Sequence, residues 1–90
     1  METANGITLL KFHAPWCSPC KVMAATLAQI ISKFPGISVK SVDIDNDPTQ
    51  AADYDVRAIP TLILLKNGAQ AGRLVGAHSE KEIESFLSGA

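Results

Sequence analysis

The residues able to do chemistry lie together in the run Trp16-Cys17-Ser18-Pro19-Cys20-Lys21, which holds both cysteines of the chain. A free thiol has a pKa of about 8.5, so only a few per cent is thiolate at neutral pH, and the thiolate is the nucleophile. The unpaired N–H groups at a helix N-terminus favour an anion by roughly 0.3–2 kcal/mol, enough to bring a thiol down to about 7, where half is ionised. Cys17 at such a terminus would be an attacking thiolate. Cys20, one turn further on and expected to lie deeper, would keep its proton and wait to displace whatever Cys17 captures. Pro19 lacks an N–H and has a fixed φ, which suits a first helical turn.

Two plainer uses of the pair compete with this one. As a staple it is poor, because a four-residue loop is worth roughly 2 kcal/mol in the chain-entropy formula against about 3 for fifteen residues. As half of a metal site it needs two further ligands, and the other strong nitrogen donors, His13 and His78, match no zinc-finger spacing. The pair therefore reads as redox-active, with no metal.

The surrounding elements must place Cys17 where a helix begins. Ile7 to Ala14 is a run of β-branched and large apolar residues stopped by Pro15, which predicts a central strand. From Ser18 the apolar period changes, and Met23, Leu27, Ile30, Ile31 and Phe34 form a helical stripe ended by Pro35-Gly36. Ile37, Val39, Val42 and Ile44 suit a second strand, and Asp47-Pro48 is an N-cap with proline at the first position of a short helix through Tyr54. Thr61 to Leu65 is apolar enough to be covered on both faces, and Asn67-Gly68 turns it into an antiparallel strand from Gln70 to Val75. Ser79 and Glu82 make a capping box for a last helix carrying Ile83, Phe86 and Leu87. The predicted order is β-α-β-α-β-β-α in one domain over residues 1–90: a four-stranded mixed sheet with helices on both faces. In such sheets sites form beyond the carboxyl ends of strands, which is where Cys17 stands.

Composition bounds the partners. Ninety residues, 47% of them apolar, suffice for one core. A net charge of -1 without single-sign blocks favours neither nucleic acid nor an anionic membrane. Ile7 to Leu10 ahead of Lys11 is too short for a signal-peptide core or a membrane span, so the chain reads as cytoplasmic and, with nothing to suggest an obligate interface, monomeric.

The cysteine run, followed by Ile59-Pro60-Thr61, Lys66-Asn67-Gly68 and Val75-Gly76 in that order, resembles the thioredoxin family over nearly the whole chain. A C-x-x-C pair beside a βαβ pattern is that family's general signature. The resemblance implies the minimal thioredoxin fold and reduction of protein disulfides by a Cys17/Cys20 dithiol–disulfide cycle, with no bound cofactor. It implies Cys17 as nucleophile and Cys20 as resolving thiol, in a groove formed by Trp16, Ser18, Pro19, Ile59, Pro60 and Gly76, with a cis bond before Pro60. Its partners would be disulfide-bearing proteins and an upstream disulfide reductase, a flavin-dependent enzyme being one such source of electrons. Rival readings are a disulfide oxidant or isomerase, a thiol metal carrier, and a binding module that uses the groove around Trp16, Ile59 and Pro60 without turnover.

The chain also departs from the family. It lacks an additional N-terminal strand and helix, Ala25 replaces a helix-kinking proline, and His13 replaces a tryptophan. Lys11 stands where thioredoxins usually carry a buried acid beneath the cysteines, and Ser41 where that acid's lysine partner is usual. Lys11 and His13 are thus the residues expected to move a proton at Cys20 or to tune the pair. A desolvated amine could accept the proton, a charged one would stabilise thiolate, and a long stem reaching solvent would do neither.

Overall fold

The structure, a computed structural model, describes residues 6–89. Its strands are β1 (Ile7–His13), β2 (Ile37–Asp43), β3 (Thr61–Lys66) and β4 (Ala69–Val75), and its helices α1 (Ser18–Ile30), α2 (Pro48–Asp53) and α3 (Glu80–Ser88). They follow one another in the predicted order and form one sheet, β2-β1-β3-β4. β1 runs parallel to β2 and antiparallel to β3, and β3 antiparallel to β4. The sheet is therefore mixed, with β1 and β3 in its centre.

Side-chain alternation along the central strands creates two cores. Leu9, Leu62 and Leu64 meet Met23, Leu27 and Ile30 of α1 and Ile83 and Leu87 of α3 on one face. On the other, Leu10, Phe12, Val42 and Ile63 pack with Ala51 of α2. The unbroken apolar run of β3 is explained by this double coverage, since Thr61 to Leu64 are all buried. By the same alternation, Lys11 and His13 share the face of Leu9, towards α1.

The turns and caps expected of the sequence are present, with small shifts. Asn67 and Gly68 both take positive φ, 54° and 85°, as a tight hairpin turn requires. Asp47 caps α2 by accepting the Gln50 N–H at 3.1 Å. The α1 stripe does not stay helical through Phe34: the α-helix ends at Ile30 and Ile31–Lys33 tighten into a 3₁₀ turn, because Pro35 disfavours α geometry at the residue before it. Ile31 and Phe34 still pack on the core. Val39, on the edge strand β2, is 40% exposed. His78 is at the surface, its side chain 25% exposed, with one ring nitrogen 2.8 Å from the Val75 carbonyl and the other 3.4 Å from Glu82 Oε1.

The capping box of α3 is reciprocal: Glu82 N–H donates to Ser79 Oγ at 3.1 Å, and Ser79 N–H donates to Glu82 Oε1 at 2.9 Å. The Ser79 backbone bond, then its side-chain bond, hold the Glu82 carboxyl below its ordinary 4.5. A carboxylate bound more tightly in the folded chain contributes stability above its unfolded pKa and loses it as pH falls through the folded one. Urea unfolding should therefore find Glu82→Gln less stable than the parent at pH 7, the difference closing as pH drops below 4.5. A gap that is the same at pH 7 and pH 3 would contradict this account of the cap.

Candidate active site

β1 ends at His13, and within four residues the chain turns into α1, so the cysteines arise from the junction of a central strand with a helix. The Cys17 N–H donates to the Ala14 carbonyl at 3.1 Å, closing a tight turn through Pro15 and Trp16. Cys17 is the N-cap of α1, and its Sγ accepts the Cys20 N–H at 3.2 Å. A cysteine sulfur thus occupies the place that oxygen fills at the other two helices, Asp47 at α2 and Ser79 at α3. The first turn of α3 also carries Glu80 and Glu82, whereas that of α1 holds no acidic residue. The preference of this terminus for negative charge is left to the sulfur.

Cys17 and Cys20 are joined by a disulfide, their Cα atoms 5.3 Å apart. The expected contrast in depth is absent from this oxidised state, where the residues are 5% and 4% exposed. What distinguishes them is position, one being the cap and the other inside the first turn. Both pack with Ala14 in a small cluster against which Ile44 and Ile59 lie.

The residues expected to form the site lie around the carboxyl end of β1 and the loop before β3. Trp16 is 66% exposed and Ser18 and Pro19 are exposed beside it, so Trp16 is a rim residue and no part of the core. Ile59 touches the cysteine cluster, and the Ile59-Pro60 bond is cis. Pro60 is fully buried and its carbonyl accepts the Gly76 N–H at 2.8 Å, which ties the start of β3 to the end of β4. Gly76 takes φ +86° with open space where a Cβ would stand, so within the chain it answers a conformational need and not a close approach. On the other side of Cys20, Lys11 and His13 line a cleft of about 280 Å³ together with Lys21 and Ser41. Lys11 and Ser41 are paired neighbours in the β1–β2 register.

Sequence reasoning missed two contributors. Asp45, in the loop after β2, accepts the Trp16 indole N–H through Oδ2 at 3.0 Å. Thr61, almost fully buried, donates its hydroxyl to the Ala58 carbonyl at 2.6 Å and so shapes the turn before Pro60. Thr61 could have been found as a polar residue opening an apolar run. Nothing in the sequence joins Asp45 to a side chain 29 positions away.

Two sulfurs one helical turn apart and already bonded can accept two electrons and return to a dithiol using only the chain's own atoms. The class that follows is the thiol–disulfide oxidoreductases. Within it the chain belongs to the thioredoxin family, whose profile matches residues 1–89. It is 38% identical over 85 residues to the thioredoxin of Chlamydia trachomatis, an alignment covering 94% of this chain and 83% of that one. It is 44% identical over 78 residues to thioredoxin H5 of Oryza sativa, covering 87% of this chain and 58% of the rice protein. The fold superposes on oxidised mitochondrial thioredoxin 3 of Saccharomyces cerevisiae with a TM-score of 0.88 and 31% identity, covering 96% of this chain and 80% of the yeast one. The protein is a protein-disulfide reductase whose redox group is the Cys17–Cys20 pair, with disulfide-bearing proteins as substrates and a reductase as electron source.

Trp16 is the only tryptophan in the chain, so its fluorescence reports the Asp45 contact directly. In Asp45→Ala the indole should rotate more freely, lowering fluorescence anisotropy, while stability falls by no more than about 1 kcal/mol, as expected of an exposed hydrogen bond. Unchanged anisotropy would show that this bond does not hold the ring.

Proposed function

We propose that Cys17 is the attacking thiolate and Cys20 the resolving thiol in one domain spanning residues 1–90, of which residues 1–5 and 90 lie outside the described structure. The observation that carries this reading is the sulfur at the N-cap of a helix with no acidic residue in its first turn. The Cys17 thiolate attacks one sulfur of a substrate disulfide, and a mixed disulfide forms as the other substrate sulfur leaves as thiolate. Cys20 then gives up its proton and attacks the Cys17 sulfur, forming the Cys17–Cys20 bond and releasing the second substrate thiol. Two electrons pass to the substrate, and an upstream reductase, which we take to be flavin-dependent, returns them.

Trp16, Ser18, Pro19, Ile59, Pro60 and Gly76 form the docking groove in this reading. Its support is the exposure of Trp16 above the pair, the contact of Ile59 with the cysteine cluster, and the bond between Gly76 and Pro60 that joins the walls. We take the working species to be a monomer in the cytoplasm, a reducing compartment that keeps such a pair available for turnover. In Cys17→Ser, reduction of insulin should be abolished and no adduct should form. In Cys20→Ser, a mixed disulfide with insulin should accumulate. An adduct formed by Cys17→Ser and not by Cys20→Ser would reverse the assignment.

Lys11 and His13 act on Cys20 from behind. No carboxylate lines their cleft, in whose wall Lys11 is half-buried. In this reading Lys11 acts as a cation that stabilises thiolate and hence the dithiol state, and His13 carries the proton for resolution. Removing one charge at this range is worth roughly 0.5–1.4 kcal/mol at an effective dielectric near 20 or above. Lys11→Met should therefore be the stronger reductant by about 10–30 mV when equilibrated with glutathione. An unchanged potential would remove Lys11 from the chemistry, and an unchanged rate of mixed-disulfide resolution in Lys11→Asp would exclude it as proton acceptor.

A further inference from the structure

Arg73 lies outside the cysteine pair and its rim, on β4 opposite Ile63, and by register it faces the side of the sheet that carries α2. Its guanidinium reaches the carboxyl end of that helix. Nη2 donates to the Tyr54 carbonyl, Nη1 donates to the Asp55 carbonyl at 3.2 Å, and Gln70 Oε1 lies 3.5 Å from Nη2. Asp55 is one of two described residues other than glycine with positive φ, 54°. Around it the helix ends with the Asp55 N–H on the Ala52 carbonyl at 3.0 Å and the Val56 N–H on the Ala51 carbonyl at 2.8 Å. This termination satisfies the carbonyls of Ala51 and Ala52, while those of Tyr54 and Asp55 are taken by Arg73. A planar, forked cation suits two adjacent carbonyls better than an ammonium would.

The segment that begins at Tyr54 ends at Pro60, whose carbonyl is held by Gly76 N–H at 2.8 Å. One strand thus grips both ends of the stretch that presents Ile59 to the disulfide: Arg73 at the start and Gly76 at the finish. We propose that Arg73 is a positioning residue for the substrate groove, fixing the Tyr54–Pro60 loop so that Ile59 meets an incoming polypeptide in a set conformation. The proposal rests on the reading of Ile59 and Pro60 as a docking wall. Its consequence is selective. A protein substrate needs the wall, whereas a small disulfide needs only the Cys17 sulfur.

The test compares the parent with Arg73→Ala, Arg73→Lys and Trp16→Ala, using insulin and the small disulfide 5,5′-dithiobis(2-nitrobenzoate) as substrates. Arg73→Ala should raise KM for insulin at least threefold with kcat within twofold, and leave the rate with the small disulfide within twofold. Arg73→Lys should recover part of the loss. Amide exchange at Val56 should quicken at least threefold in Arg73→Ala while Ile83 in α3 keeps its protection, which locates the loosening even if overall stability falls. Equal losses on both substrates, or an unchanged KM for insulin, would overturn the proposal. If Trp16→Ala raises KM while Arg73→Ala does not, the clamp fails and the docking groove stands. If neither raises it, the groove reading falls too.

Discussion

A helix N-terminus leaves N–H groups without partners inside the helix, and the chain places a sulfur among them instead of an oxygen. The contact between Cys17 Sγ and the Cys20 N–H is the constraint on which the rest of the site depends. It puts the anion-favouring end of α1 at one sulfur of the redox pair, and it sets the second cysteine one turn away, where the two sulfurs bond. The strand before it is central and buried, so the position of the helix start is fixed by the core and not by the loop itself. Leu9, Leu10 and Phe12, all buried, anchor the strand from which Cys17 emerges.

The opposite wall is built from the antiparallel half of the sheet. β3 begins immediately after the proline loop, and pairing of Thr61 with Val75 brings the end of β4 against it. The parallel and antiparallel halves meet at β1 and β3, whose pairing runs from Ile7 opposite Lys66 to Phe12 opposite Thr61. That register brings the carboxyl end of β1 beside the amino end of β3, which is why Cys17 and Ile59 are neighbours although 42 residues separate them in the chain. Burial of Pro60 and Thr61 keeps this wall anchored in the core, and the exposed Trp16, held by Asp45, forms the outer lip.

Behind the pair, this chain differs in chemistry from the thioredoxin pattern it otherwise follows. Lys11, His13 and Lys21 line the cleft behind Cys20, and Lys11 is paired across the strands with Ser41. An acid beneath a thiol and a cation beneath it push the same equilibrium in opposite directions, since one repels thiolate and the other attracts it. On the reading proposed for Lys11, the potential of the pair is adjusted from the far side of the helix while the two sulfurs stay in place.

Periodicity and punctuation made the elements legible. The change from strand to helix at Cys17, the Asp47-Pro48 start, the Asn67-Gly68 turn and the Ser79/Glu82 box are local preferences of backbone and cap, and they appear where the residues place them. The redox pair was legible for the same reason, because its chemistry is set by two residues three positions apart. Where the sequence was silent, the deciding forces acted between distant segments. The edge position of β2 leaves Val39 40% exposed, and Asp45 and Arg73 find partners 18 or more residues away. Short-range pattern records what a residue prefers to be; only packing decides what it meets, and the walls around the sulfurs are made of such meetings.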